Sequence, residues 1–309
     1  MNAQRLLIVV LAALALAAPW FAYPVFLMTA LCFALFACAF NLLLGYVGLM
    51  SFGHAMFFGT AGYFFGHVVK AWDMPPELGL LAGVCGAALV GLVTGSLAIR
   101  RQGIYFAMIT LAFAQMIYFF CVQAPFTHGE DGLQGIPRKA LLGGLIPTKD
   151  DRVLYYVVLA IFVFGYCAIY RIIHSPFGQV LKAIRDNEQR AQSLGYEADR
   201  YKLLAFVLSA ALAGLAGATK AMVLQFATLT DVSAAMSGEV VLMALVGGLG
   251  TIVGPVVGAF IIITMQNYLA ATGEFVLVIQ GAIFVVIVLA FRKGVVGELA
   301  EWWKRRQAR

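Results

Sequence analysis

Two clusters of glycine and small polar residues, set inside apolar sequence, are where this chain could do chemistry. The first reads Gly45-Tyr46-Val47-Gly48-Leu49-Met50-Ser51-Phe52-Gly53-His54, and the second Gly247-Gly248-Leu249-Gly250-Thr251-Ile252-Val253-Gly254-Pro255. Glycine is among the weakest helix formers, and proline removes a backbone N–H. A helix broken in this way frees N–H and C=O groups to face a polar ligand. In membrane proteins, apolar segments interrupted at corresponding places of two halves point to a transport site. The chemistry is then binding and passage. Asn41, Ser51, His54, Thr110 and Gln115 are the polar candidates to line the path. Gly48, Gly247, Gly248 and Gly250 mark the breaks themselves. His54 reads either as a donor to cargo or as a structural hydrogen bonder near a helix end. Three other pairs, Gly79/Gly83, Gly91/Gly95 and Gly254/Gly258, suit close helix packing better.

Bond-making catalysis is poorly provided for. The chain has no GxxxxGK[ST] loop to cradle a nucleotide, and no serine sits in a GxSxG elbow. Its four histidines, His54, His67, His128 and His174, are scattered. Its five cysteines, Cys32, Cys38, Cys85, Cys121 and Cys167, lie in apolar runs and read as packing residues. The acids Asp73, Glu77, Glu130, Asp131, Asp150, Asp151, Glu239 and Glu274 are assigned to segment ends and loops. On that reading there is no mid-membrane carboxylate of the kind that ion-coupled carriers commonly use. The expectation is a chain that is no enzyme and carries no cofactor or metal, with its energy supplied by another subunit.

The elements that must position these residues are membrane helices. Of 309 residues 62% are hydrophobic and only 12% charged, about half the charge of an ordinary soluble domain. Apolar runs fall near 6–22, 25–44, 54–69, 78–99, 103–122, 152–173, 203–226, 239–270 and 275–291. They are long and apolar on all sides, which suits helices and not the short alternating strands of a barrel. The predicted fold is all-α: one polytopic membrane helix bundle over 1–309, with about eight to ten spans and glycine-broken segments. The first run follows Arg5 and continues through Trp20 and Val25, so it reads as a retained span and not a cleaved signal.

Charge sets the orientation. The net charge is +6, with Lys and Arg at the ends of apolar runs and no basic patch suited to nucleic acid. Arg100-Arg101, the segment 171–202 and the tail 292–309 are the basic regions, and all three are expected in the cytoplasm. The loop 123–151 is then external. The second glycine cluster splits 239–270 into a hairpin, which lets the tail return to the same side. Lys220 would lie near the outer interface and snorkel.

The longest run rich in charge is Ser175 to Lys202. Ser175 suits an N-cap, Pro176 and Gly178 a helix-starting turn, and Gly195 a helix end. Val180, Leu181, Ile184, Ala191 and Leu194 make a thin apolar stripe. Lys182, Arg185, Asp186, Glu188 and Arg190 occupy the other faces. A lipid-surface helix usually carries a basic face and bulky anchors. Here acids and bases are mixed and the stripe contains alanine, so the groove of a partner protein fits better.

Four passages together resemble one family. They are Asn41-Leu42-Leu43-Leu44-Gly45-Tyr46 with Ser51-Phe52-Gly53-His54; Gly103-Ile104-Tyr105-Phe106-Ala107-Met108 with Thr110-Leu111-Ala112-Phe113-Ala114-Gln115; Ser175-Pro176-Phe177-Gly178 through Ala183-Ile184-Arg185 to Leu194-Gly195; and Gly247-Gly248-Leu249-Gly250-Thr251 to Gly254-Pro255. In that order, over nearly the whole chain, they are similar to the LivM-like permease subunits of bacterial ABC importers of the branched-chain amino acid type. The resemblance implies that the cytoplasmic loop 174–202 holds a coupling helix seated in a cleft of an ATPase subunit. Its carried-over residues are Ala183, Ile184, Arg185, Asn187, Ala191 and Gly195, with Ser175, Pro176, Phe177 and Gly178 setting its angle. It also implies the bacterial inner membrane, a second homologous permease, two cytoplasmic ATPases that bind ATP, and a periplasmic binding protein. Relatives also carry urea, amides and small organic acids. One departure is Thr127-His128-Gly129-Glu130-Asp131-Gly132, where family members often have a TGG-type sequence. A secondary carrier or channel is the competing class, since the glycine breaks would serve it equally well; a membrane scaffold would leave them unexplained.

Overall fold

Proline sets where several helices begin, because its missing N–H falls where the first turn has no partner to offer. In a computed structural model of the chain, which describes residues 15–144, 146–269, 278–279, 281–282, 284–285 and 294–298, this holds for three helices. These are α1 (Pro24–Tyr46), α3 (Pro76–Ala98) and α6 (Pro176–Asp186). The others are α2 (His54–Lys70), α4 (Ile104–Gln123), α5 (Asp151–His174), α7 (Glu188–Ser193), α8 (Ala198–Leu224), α9 (Ala234–Gly247) and α10 (Gly254–Leu269). Side chains cap four of the starts: Asp150 accepts from Arg152 N before α5, Ser175 from Gly178 N before α6, Asn187 from Arg190 N before α7, and Ser233 from Met236 N before α9. Five helices, α1, α3, α4, α5 and α8, are long and apolar enough to cross a membrane, and α9 and α10 are shorter apolar helices. No β-strand occurs among the described residues, only isolated bridges. The fold is an all-α polytopic bundle with glycine-broken segments. The expected runs 6–22 and 275–291 and the tail 292–309 lie largely outside the described residues.

Helices α1 and α8 form the centre. Residues Ala30 to Leu43 of α1 are buried without interruption, and α8 packs on α1, α2 and α3. Lipid offers no hydrophobic drive between helices, so close backbone approach must supply the packing. The buried face of α3 is accordingly small: Gly79, Gly83, Ala87, Gly91, Thr94, Gly95 and Ala98. A Cβ on Gly83 would sit 2.9 Å from the Ala61 carbonyl oxygen. On α8, a Cβ on Gly217 would come within 1.9 Å of the Phe58 carbonyl oxygen. The expected packing role of Gly83, Gly91 and Gly95 holds, against Ala218, Ala210 and Phe206.

The run 239–270 divides as expected. Helices α9 and α10 pack against each other, and the turn between them, 248–253, lies at the end of the bundle that carries α6. The opposite end is closed by the segment 124–150. There Leu133 bridges Ala227, Arg138 pairs with Asp151 at 2.6 Å, and Lys139 pairs with Asp73 at 2.6 Å.

Two expectations are corrected. Lys220 does not snorkel to an interface. It is buried and ion-paired with Asp231, and its ammonium lies 5.9 Å and 5.6 Å from the ring centres of Phe58 and Phe226. The partner is delivered by the short turn Leu229–Val232, which sits on α2 where Gly59 has no side chain. The loop 174–202 holds two helices instead of one. Asn187 breaks the run with extended backbone, and its side chain accepts from Arg190 N at 2.9 Å to start α7. Gly195, with φ 90°, follows that helix, and Leu194 is exposed and leaves the apolar stripe.

Candidate functional site: a joint between two helix breaks

Both glycine clusters lie beneath α6: Arg185 bonds the first, and Asn41 ties the second to it. Helix α6 turns Leu181 and Ile184 inward, and Phe177 stacks on Tyr201 of α8 with ring centres 5.7 Å apart. Glu188 of α7 accepts from Lys202 of α8 at 2.5 Å and from Gln102 at 2.9 Å. These contacts fix the pair of helices against the bundle. Arg185 is not turned wholly toward solvent. Its Nη1 donates to the Gly45 carbonyl oxygen at 2.5 Å, where α1 ends. The same guanidinium reaches Asp186 at 3.2 Å.

Gly48 lies against the stem of Arg185, and Gly250 lies near its guanidinium. Gly48 has φ 82°, and a Cβ there would lie 2.9 Å from Arg185 Cγ. Gly250 has φ 72°, and a Cβ there would lie 3.9 Å from Arg185 Nη1. Asn41 ties the second break to the first. Its Oδ1 accepts from Gly250 N at 3.0 Å and its Nδ2 donates to the Thr251 carbonyl at 2.8 Å. Arg185 thus holds the first interruption directly and lies next to the second through Asn41. Asn41→Leu should cost about 1–2 kcal/mol, because two half-buried backbone partners lose their hydrogen bonds. Chemical unfolding of the purified protein measures it, and Asn41→Asp should keep only the Gly250 bond.

The other path candidates lie deeper. Thr110 is fully buried; its hydroxyl accepts from Phe52 N at 3.2 Å and donates to the Ala107 carbonyl at 2.9 Å. Ser51 is buried and accepts from Gly53 N at 3.4 Å. His54 is buried among Phe36, Phe40 and Phe57, with Nε2 2.9 Å from Ser209 Oγ. Ser209 in turn donates to the Ala39 carbonyl at 2.5 Å. In this conformation His54 is a structural bridge between α1, α2 and α8. Gln115 sits on a half-buried face of α4. Gly247 packs on Gly254, and Gly248 has φ 117°. Of the loop residues, Pro176, Ala183 and Asn187 are exposed, Ser175 and Phe177 partly so, while Gly178 and Ala191 are buried.

Sequence reasoning missed a charged cluster at the other end of α9. Besides Lys220 and Asp231, a third charged residue, Glu239, sits half-buried on α9. The signal was present: a lysine inside an apolar run requires a counter-charge within reach.

The family described as "Branched-chain amino acid transport system / permease component" matches residues 24–288. The "High-affinity branched-chain amino acid transport system permease protein LivM" of Escherichia coli (strain K12) is 27% identical over 276 residues, taking in 81% of this chain and 64% of that protein. The "Probable branched-chain amino acid transport permease protein LivM" of Methanocaldococcus jannaschii is 23% identical and takes in 57% of this chain and 60% of the relative. The "Ribose import permease protein RbsC" of Bacillus subtilis (strain 168) is 31% identical over 174 residues, 52% of this chain and 50% of the relative. The chain thus spans somewhat under two thirds of the length of these relatives. No solved structure matches.

Proposed function

Since the chain belongs to the branched-chain amino acid transport system permease family, we propose that it is the membrane-spanning permease subunit of an ATP-driven importer of branched-chain or similar apolar amino acids. It works in a bacterial inner membrane beside a second, related permease. Two cytoplasmic ATPases bind and hydrolyse the ATP, and a periplasmic binding protein delivers the cargo. The chain makes and breaks no covalent bond. The observation that carries the reading is the Arg185 contact with the Gly45 carbonyl. It gives a helix outside the membrane a direct hold on the end of α1, which Asn41 ties to the α9–α10 hairpin. Closure of the ATPases on α6 and α7 then moves both breaks together and switches the side to which the path opens. Ala183, Asn187, Gln189 and Arg190 form the exposed face for that partner.

The test is uptake by the complex in sealed vesicles. Labelled leucine should enter only with ATP on the α6 side, and a leucine gradient without ATP should move none. Orientation has its own check. A membrane-impermeant maleimide should label Asp186→Cys, whose native side chain is 69% exposed, from the cytoplasmic face alone. Labelling from the periplasmic face would overturn the assignment of α6 to the ATPase side.

A further inference from the structure

A groove opens between the start of α6 and the start of α8, apart from the joint described above. It holds about 490 Å³. Phe177 and Val180 of α6 form one wall, and Tyr196, Arg200, Tyr201 and Leu204 form the other. Phe177 stacks on Tyr201, and Tyr196 meets Tyr201 edge-on with ring centres 6.0 Å apart. These contacts give the groove a fixed aromatic lining.

The sequence of α8 sets the depth of the groove in the membrane. The first residues of the helix, 198–202, include Asp199, Arg200 and Lys202, whereas 203–219 contain no charge. The stretch 203–224 is about 33 Å long as helix, enough for the hydrocarbon core. The acyl region therefore begins at Leu203. Leu204 is 51% exposed and meets it. Arg200, one turn earlier, has a side chain 82% exposed at headgroup level, where tyrosine rings also settle. The groove thus asks for an occupant that is apolar at one end and polar at the other. A water-soluble subunit matches the polar end alone, and the exposed face of Ala183, Asn187, Gln189 and Arg190 lies further along. A phospholipid matches both ends.

The charges choose the headgroup. Arg200 bonds Glu197 through Nε at 2.5 Å, so its planar fork keeps two further nitrogens for a phosphate. Glu197 and Asp199 stand exposed beside it. Lys202, the next cation on α8, is buried and paired with Glu188. One available cation beside two acids disfavours a net anionic head and fits a zwitterion. We propose that this groove is a binding site for an ethanolamine phospholipid. Arg200 and the two tyrosine hydroxyls donate to its phosphate, Glu197 and Asp199 receive its primary ammonium, and an acyl chain leaves along Val180 and Leu204. A choline head has the same charges but no N–H to donate to the carboxylates. The bound lipid ties the start of α6 to the start of α8. The site depends on α8 crossing the membrane and not on the nature of the cargo.

The test places the full chain, with the subunits that purify with it, in bilayer discs of phosphatidylethanolamine, phosphatidylglycerol and phosphatidylcholine in equal parts. In each of three preparations a different lipid carries a diazirine in its acyl chain close to the glycerol. On illumination the ethanolamine lipid should label segments 176–180 and 196–204 about threefold to fivefold more than either other lipid, the worth of one exposed charge pair. Arg200→Glu should abolish that preference, and the exposure of this side chain leaves the fold intact. Glu197→Gln combined with Asp199→Asn should shift the preference to phosphatidylglycerol. Equal labelling of the wild type by all three lipids means bulk lipid only and overturns the site. A preference that survives both sets of substitutions overturns it as well. So does a groove that no lipid labels, the result expected if a protein partner covers it.

Discussion

Arg185→Glu should lower ATP-driven uptake by about tenfold or more while ATP hydrolysis continues and the protein still folds. The reasoning starts at the Gly45 carbonyl, which Arg185 Nη1 reaches at 2.5 Å. A charged donor on a backbone carbonyl is worth about 1.5–3 kcal/mol, discounted here because the arginine side chain is 41% exposed. Loss of that bond alone would loosen the joint. Glutamate adds a second effect: its carboxylate would face the carbonyl oxygen it replaces a donor for, beside Asp186. The interaction changes sign. Nothing in the core depends on Arg185, since Leu181, Ile184 and Phe177 seat α6 by packing. The expected result is thus lost transmission with retained structure. Arg185→Lys should fall between, keeping the charge and losing the planar fork. Uptake per ATP hydrolysed in vesicles is the measurement, and an unchanged ratio in Arg185→Glu would remove the joint from the mechanism.

The parts of this molecule legible in sequence are those written in local chemistry. The cap at Ser175 needs only a serine before a proline and an apolar stripe. The break at 247–255 needs only its glycines, and the small face of α3 repeats in register with the helix. What stayed hidden depends on where distant segments land. Arg185 and Gly45 are 140 residues apart, and Asn41 and Gly250 are 209 apart. Periodicity put Arg185 on the polar side of α6 but carried no information about the neighbour waiting there. It gave a coupling role that faces outward, whereas the guanidinium faces the bundle. His54 shows the same limit. Its position at a break left a donor to cargo and a structural hydrogen bonder both open, and only the fold sets Ser209 against it. Asn187 was visible as a polar residue, but its power to end α6 and start α7 appears only in its backbone angles. Asp231 lies in a stretch that reads as a loop, and only the shape of Gly59 explains how that loop enters the bundle.

The largest stability effect is expected from Lys220→Met. The lysine and Asp231 are 91% and 93% buried, since their side chains keep only 9% and 7% exposure. Removing one member of a buried pair leaves the other charge uncompensated and typically costs about 3–5 kcal/mol. Asp231 is held by the turn Leu229–Val232, which rests on Gly59, so the stranded acid has no route to water without displacing that turn. Asp231→Leu on its own should be comparably harmful, because it strands the ammonium against Phe58 and Phe226. Combined, the two substitutions remove both charges and should recover most of the loss, since apolar replacement of a buried pair is often neutral or stabilising. Denaturant titration of the four purified forms gives the coupling, expected at about 5 kcal/mol or more, because two losses of about 3–5 kcal/mol collapse to a small one. Additive losses would mean that the two side chains act separately.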